Sequence, residues 1–121
     1  MARILVVDDE PDIVRAVVRI MREHGHDVET AQDGLQALEH VAADVPDLVI
    51  IDLHLPRLDG AAVCARLKAE TATRHIPVVM MTAGYIRLNE ADRQAHPGPD
   101  EYLAKPFLKR TLLHNVDRLL S

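Results

Sequence analysis

Three acids, one hydroxyl and one lysine stand out because each closes an apolar run. Asp8 and Asp9 follow Ile4-Leu5-Val6-Val7, and Asp52 follows Leu48-Val49-Ile50-Ile51. Thr82 ends the run Ile76–Thr82, and Lys105 ends the short stretch that begins at Glu101. A lone carboxylate inside an apolar core is costly, so each acid belongs at the end of its strand, facing a crevice. Carboxylates gathered there repel one another by roughly 4 kcal/mol per pair at ~4 Å and an effective dielectric near 20. A divalent cation compensates this, with Lys105 as a fixed positive charge opposite. Magnesium fits best, because it takes one or two carboxylates, keeps several waters and completes its shell with a phosphate. Zinc prefers His or Cys ligands. The histidines do not cluster, and His24, His26, His40, His75 and His114 read as surface residues. An aspartate in such a site can act as a nucleophile on phosphorus, giving an aspartyl phosphate. The cation and Lys105 would neutralise the phosphoryl oxygens, and Thr82 would donate a hydrogen bond.

The elements that must position these groups alternate along the chain. Strands are expected at Arg3–Val7, Val28–Ala31, Leu48–Ile51, Ile76–Thr82 and Glu101–Ala104. Pro11-Asp12 starts a first helix with Ile13, Val14, Val17, Ile20 and Met21 at helical spacing, and Gly25 ends it. Asp33-Gly34 starts a second, with Leu35, Leu38, Val41 and Ala42 on one face. A third spans about Gly60 to Glu70, with Val63, Cys64 and Leu67 inward. Tyr85–Ala95 reads as a mostly polar fourth helix, and a last one from about Phe107 carries Leu108, Leu112, Val116 and Leu119. Five strands alternating with five helices describe a doubly wound α/β fold with a parallel sheet. The very apolar first and third strands belong side by side in its middle.

Composition excludes several classes. The chain has 121 residues, enough for one domain with a proper core, and no internal repeat or linker divides it. A net charge of −5 without any Lys/Arg cluster argues against a nucleic-acid-binding surface. No apolar run approaches the ~20 residues of a membrane-spanning helix. Met1 leads straight into a strand, so no signal peptide is expected, and the single Cys64 can form no intramolecular disulfide. The expected compartment is the cytoplasm. Cys64 has no base or cation evident beside it and reads as a core residue.

The motifs together resemble the receiver domains of two-component response regulators, including the single-domain chemotaxis regulator. The matching pieces are Val-Val-Asp-Asp at 6–9, Asp-Leu-His-Leu-Pro-Arg-Leu-Asp-Gly at 52–60, Ile-Pro-Val-Val-Met-Met-Thr-Ala at 76–83 and Tyr-Leu-Ala-Lys-Pro-Phe at 102–107. The resemblance runs from Ile4 to Leu120 and implies a flavodoxin-like sheet in the order 2-1-3-4-5. It implies that Asp52 is the phosphoacceptor, charged by a sensor histidine kinase or histidine phosphotransfer protein. By the same resemblance Asp9 and Asp52 are direct magnesium ligands, with the backbone carbonyl of His54 as a third and Asp8 acting through water. Thr82 is the switch hydroxyl, Tyr102 the aromatic that rotates inward behind it, and Lys105 the phosphate-binding lysine. The peptide bond before Pro106 is expected to be cis. The only catalysis implied is of the domain's own phosphorylation and dephosphorylation. The output is a partner protein or an effector domain outside this sequence; a homodimer through the fourth and fifth elements is left open.

This sequence departs from the family pattern at two places. The small-residue turn usual before the fifth strand is replaced by His96-Pro97-Gly98-Pro99-Asp100-Glu101, which bears on the end of the fourth helix. His54 and Gly84, each two residues past a site residue, flank the path of the hydrolytic water and are expected to set the phosphate lifetime. Three other readings fit less well. A haloacid-dehalogenase-type phosphohydrolase needs an acid at the position of His54 and usually a cap domain. A receiver that signals without phosphate typically lacks one of the groups present here. A flavin-binding flavodoxin-like role needs a Ser/Thr/Gly-rich phosphate loop after the first strand.

Overall fold

A computed structural model describes residues 1–83 and 98–121. Five parallel strands, β1 (Arg3–Val7), β2 (Asp27–Ala31), β3 (Leu48–Asp52), β4 (Val78–Ala83) and β5 (Glu101–Lys105), form one sheet in the order β2-β1-β3-β4-β5. Among the described residues the helices are α1 (Pro11–Glu23), α2 (Gly34–Ala43), α3 (Gly60–Ala69) and α4 (Lys109–Leu120). The helix expected over Tyr85–Ala95, Gly84 and the start of the turn at His96-Pro97 lie outside the described residues.

Strand alternation divides the interior into two layers. Leu5, Val7, Val49, Ile51, Val78 and Met80 face α2 and α3, where they meet Ala37, Val41, Val63, Cys64 and Leu67. Ile4, Val6, Leu48, Ile50, Val79 and Met81 face α1 and α4, meeting Val17, Met21, Leu112 and Val116. β3, at the centre of the sheet, is buried at every position, which is why Leu48, Val49, Ile50 and Ile51 form an unbroken apolar run before the buried Asp52. β2 lies at the sheet edge and is largely exposed, consistent with its half-polar Asp-Val-Glu-Thr-Ala sequence.

Four sequence expectations need correction at element ends. In α2 the buried face runs through Gly34, Ala37 and Val41, whereas Leu35 and Ala42 are exposed. Leu108 precedes α4 as its N-cap and is 57% exposed, so the inner stripe begins at Leu112. α4 itself starts at Lys109 and not at Phe107. β4 starts at Val78 and not at Ile76, because the Pro77 ring leaves no N–H for the ladder. The Pro77 carbonyl accepts from Val49, and the Val78 N–H donates to the Asp100 carboxylate at 2.7 Å. Asp100 also receives the Lys68 ammonium at 2.9 Å, and Lys68 reaches the Ile76 carbonyl at 2.8 Å. One carboxylate and one lysine thereby tie α3, β4 and the entry to β5 together, and Asp100 finds its use in the unusual turn.

Candidate functional site

The parallel register brings the candidate residues to one edge. Val7 pairs with Ile51, so Asp8 follows directly beside Asp52; Asp52 pairs with Met81, one residue before Thr82; Ala83 pairs with Lys105. Asp8, Asp52 and Thr82 are buried, at 1%, 4% and 4% exposure. Lys105 Nζ lies between the acids, donating to Asp8 Oδ2 at 3.0 Å, Asp52 Oδ2 at 3.2 Å and Glu10 Oε1 at 3.3 Å. Carboxylate oxygens of Asp8, Glu10 and Asp52 lie within 4.8 Å of one another, a group that could hold a metal ion.

That group differs from the sequence-based set in one member. Asp9 is exposed and stands outside it, while Glu10 stands inside. An exposed acid beside a helix start reads as a solvated cap, yet Glu10 at the α1 N-cap makes no side-chain cap bond. The only sequence signal for Glu10 is its adjacency to Asp8-Asp9. Its backbone is fixed where it is, because its N–H donates to Asp8 Oδ1 at 3.0 Å and its carbonyl accepts from Val14 at 3.1 Å.

The loop after Asp52 is shaped by two close approaches. A Cβ on Gly60 would sit 2.2 Å from the Asp52 carbonyl oxygen, so only glycine lets α3 begin against the end of β3. The Gly60 N–H donates to the Leu53 carbonyl at 2.8 Å, and the Asp59 side chain caps α3 by accepting from Ala62 at 2.9 Å. Across the loop, a Cβ on Gly34 would meet the Leu58 carbonyl oxygen at 2.0 Å. Arg57 takes φ +68°, and the Leu58 N–H reaches back to the Pro56 carbonyl at 2.7 Å, a γ-turn. Arg57 also reaches Asp33 at 3.5 Å, the buried residue that caps α2 through the Gln36 N–H. His54, inside this loop, is exposed.

Tyr102 is half-buried and packs on the core layer beneath α2 and α3; its backbone pairs with Met80. The Lys105–Pro106 bond is cis, as expected from sequence. Cys64 is buried in the same core layer, and burial pushes its thiol up to about 11.

Electrostatics follow from the geometry. Burial and the neighbouring Asp8 charge raise the Asp52 carboxyl above its ordinary value, against the opposing pull of Lys105. Burial disfavours the Lys105 ammonium, but hydrogen bonds and charge from Asp8 and then Asp52 outweigh it and raise its pKa. Asp52 Oδ1 is buried with no hydrogen-bond partner among the described residues. A bare carboxylate oxygen inside a ring of acids is the group a cation would satisfy, so the donors present fit a hard, oxygen-preferring divalent ion.

A five-stranded doubly wound sheet, with an acidic, lysine-bridged crevice at its carboxyl edge, defines the class of open α/β folds that bind their ligands at the switch point. The sequence model of the response regulator receiver domain matches residues 4–117, and the chain belongs to that family. Response regulator MprA of Mycolicibacterium vanbaalenii is 40% identical over 120 residues, covering 98% of this chain and 50% of MprA. The DNA-binding dual master transcriptional regulator RpaA of Synechocystis is 38% identical over 99% of this chain and 49% of its own length. The chain thus spans about half the length of these curated relatives. Among solved structures, the receiver domain of sensor histidine kinase PA1611 from Pseudomonas aeruginosa superposes with a TM-score of 0.86 at 29% identity. That match covers 98% of this chain and 97% of the PA1611 domain, which has a magnesium ion coordinated in its active-site cleft. The receiver domain of a histidine kinase from Syntrophus aciditrophicus gives 0.87 at 32% identity, over 99% and 90% of the two chains. The fold and order expected from sequence are therefore those of the family.

Proposed function

We propose that this receiver accepts a phosphoryl group on Asp52 from a sensor histidine kinase or histidine phosphotransfer protein, in a magnesium-dependent reaction, and then controls an output partner or effector domain. The observation that carries this reading is the Asp52 carboxylate, buried at the end of β3, with one oxygen on Lys105 and the other without a hydrogen-bond partner among the described residues. By the family resemblance Asp9, Asp52 and the His54 backbone carbonyl would hold the magnesium directly, with Asp8 acting through water. The acids that already converge are Asp8, Glu10 and Asp52, so the exposed Asp9 would have to turn inward to join them. Bound there, the ion would offset the charge of the phosphoryl oxygens.

The chain's own residues supply the rest. An Asp52 oxygen attacks phosphorus, the bond to the donor's leaving atom breaks with its electron pair, and the phosphoryl group remains on Asp52. Lys105, already within hydrogen-bond reach of Asp52, is placed to turn onto a phosphoryl oxygen. Thr82, one residue past the register partner of Asp52, would donate its hydroxyl to the same group. Tyr102 lies two residues along β5 from the partner of Thr82 and would carry the change towards the outer surface of β5 and α4. No turnover of an external substrate is assigned beyond the domain's own phosphorylation and dephosphorylation. The reading also assigns no nucleic-acid contact to this domain, whose net charge is −5. Among the described residues no helix is long and apolar enough to cross a membrane, and a cytoplasmic location is part of the proposal.

The test is labelling by acetyl phosphate with magnesium or with chelator, in wild type and Asp52→Asn. Magnesium-dependent, base-labile labelling that the variant loses supports the reading. Absence of labelling even with a cognate kinase would make the domain a phosphate-independent binding module.

A further inference from the structure

Lys105 is shared three ways. An ammonium has three donors, and here all three point at carboxylates: Asp8, Asp52 and Glu10. A phosphoryl oxygen arriving at Lys105 must therefore displace one of them. Asp8 cannot readily leave, because its side chain is fully buried and its other oxygen holds the Glu10 N–H. Asp52 is the nucleophile and must stay. Glu10 differs from both: its side chain is 60% exposed, and its one hydrogen bond to a described residue is the contact with Lys105. Its backbone is anchored independently of that side chain, so the carboxylate can swing into water without disturbing the end of β1 or the start of α1.

We infer that Glu10 is a displaceable third acceptor on Lys105, which competes with the incoming phosphodonor and so restrains phosphorylation of Asp52. The inference rests on the phosphoacceptor reading above and adds a residue to it. Two consequences run in opposite directions. As a member of the group within 4.8 Å, Glu10 adds negative charge that favours a divalent cation. As a competitor on Lys105 and a like charge to the donor, it slows phosphoryl transfer once the cation is in place. In that transfer the Asp52 oxygen bonds to the phosphorus of acetyl phosphate and the phosphorus–oxygen bond to acetate breaks. Acetate leaves with the electron pair, and Lys105 exchanges the Glu10 oxygen for a phosphoryl oxygen.

The experiment compares wild type, Glu10→Gln and Asp52→Asn. It measures manganese or magnesium affinity by calorimetry, then the second-order rate of labelling by acetyl phosphate at saturating metal. Glu10→Gln is expected to bind the metal more weakly and yet label about threefold to fivefold faster, the size of one exposed charge contact. A residue that merely held the fold together would lower both quantities when replaced. Labelled wild type with an unchanged or slower Glu10→Gln variant would overturn the inference while leaving Asp52 as acceptor. An unlabelled wild type, indistinguishable from Asp52→Asn, would overturn the acceptor reading and the inference with it.

Discussion

Removing Lys105 should cost the fold more than any other single change at the sheet edge, and the loss should depend on pH and on magnesium. At an effective dielectric near 20, the ammonium attracts Asp8 at 3.0 Å and Asp52 at 3.2 Å by about 5 kcal/mol each. Without it, Asp8 and Asp52, whose oxygens approach within 4.8 Å, repel by about 3–4 kcal/mol. Desolvation of the buried ions offsets much of the attraction, so the net loss for Lys105→Met is about 3–5 kcal/mol. A domain of this kind has a total stability of only about 5–15 kcal/mol. The Asp52 carboxyl already binds its proton more tightly folded than unfolded, so its contribution falls as pH rises from the ordinary carboxylate value through the raised one. Lys105→Met removes the larger of the contacts that hold that value down, leaving the weaker one from the His54 backbone, and so widens the window upward. The variant should therefore regain stability on acidification from neutrality, over a range in which wild type changes little. Magnesium should restore part of the loss at neutral pH, by about 2.7 kcal/mol at a hundredfold excess over its dissociation constant. Urea denaturation at neutral and mildly acidic pH, with and without magnesium, reads all three effects. A variant as stable as wild type, or one destabilised equally at both pH values, would refute the electrostatic account of the site.

Gly60→Ala places a Cβ 2.2 Å from the Asp52 carbonyl, so α3 must shift; a loss of about 2–4 kcal/mol in urea melts, together with slower labelling of Asp52, is expected. Asp100→Ala leaves the Val78 N–H without its acceptor and Lys68 without its partner, and should lower stability by about 1–3 kcal/mol with no direct effect on the labelling chemistry. The Cys64 thiol, pushed up to about 11 and buried, should resist alkylation in the native protein at pH 8 and react on unfolding. His54→Ala is expected to change the rate at which labelled protein loses its phosphate, and an unaltered decay would remove His54 from the hydrolytic path.

Which parts of this were legible in the sequence follows from physics that is local or not. Asp52 and Lys105 were readable because each ends a parallel strand, β3 buried throughout and β5 at the sheet edge, and parallel strands deliver their last residues to one crevice. The sheet order followed from the family resemblance and from the apolar contrast between β3 and the half-polar edge strand β2. Glu10 was not readable as a partner of Lys105, because the contact joins residues ninety-five positions apart and an exposed acid has no hydropathy signature. The Lys68–Asp100 pair was hidden for the same reason. Leu35 and Leu108 misled because they stand at helix starts, where one side of the helix already faces water. The tight approach of Gly60 to Asp52 was visible only as a turn signal, since a missing Cβ says nothing about which atom takes its place.

The most direct test of the central claim is to locate the phosphoryl group. Protein treated with acetyl phosphate and magnesium, reduced with borohydride to trap the acyl phosphate, and mapped by peptide mass spectrometry should carry its modification at Asp52 alone, with none in the Asp52→Asn variant. Modification at Asp8, Asp9 or Glu10 in wild type, or no modification at any of them, would contradict it.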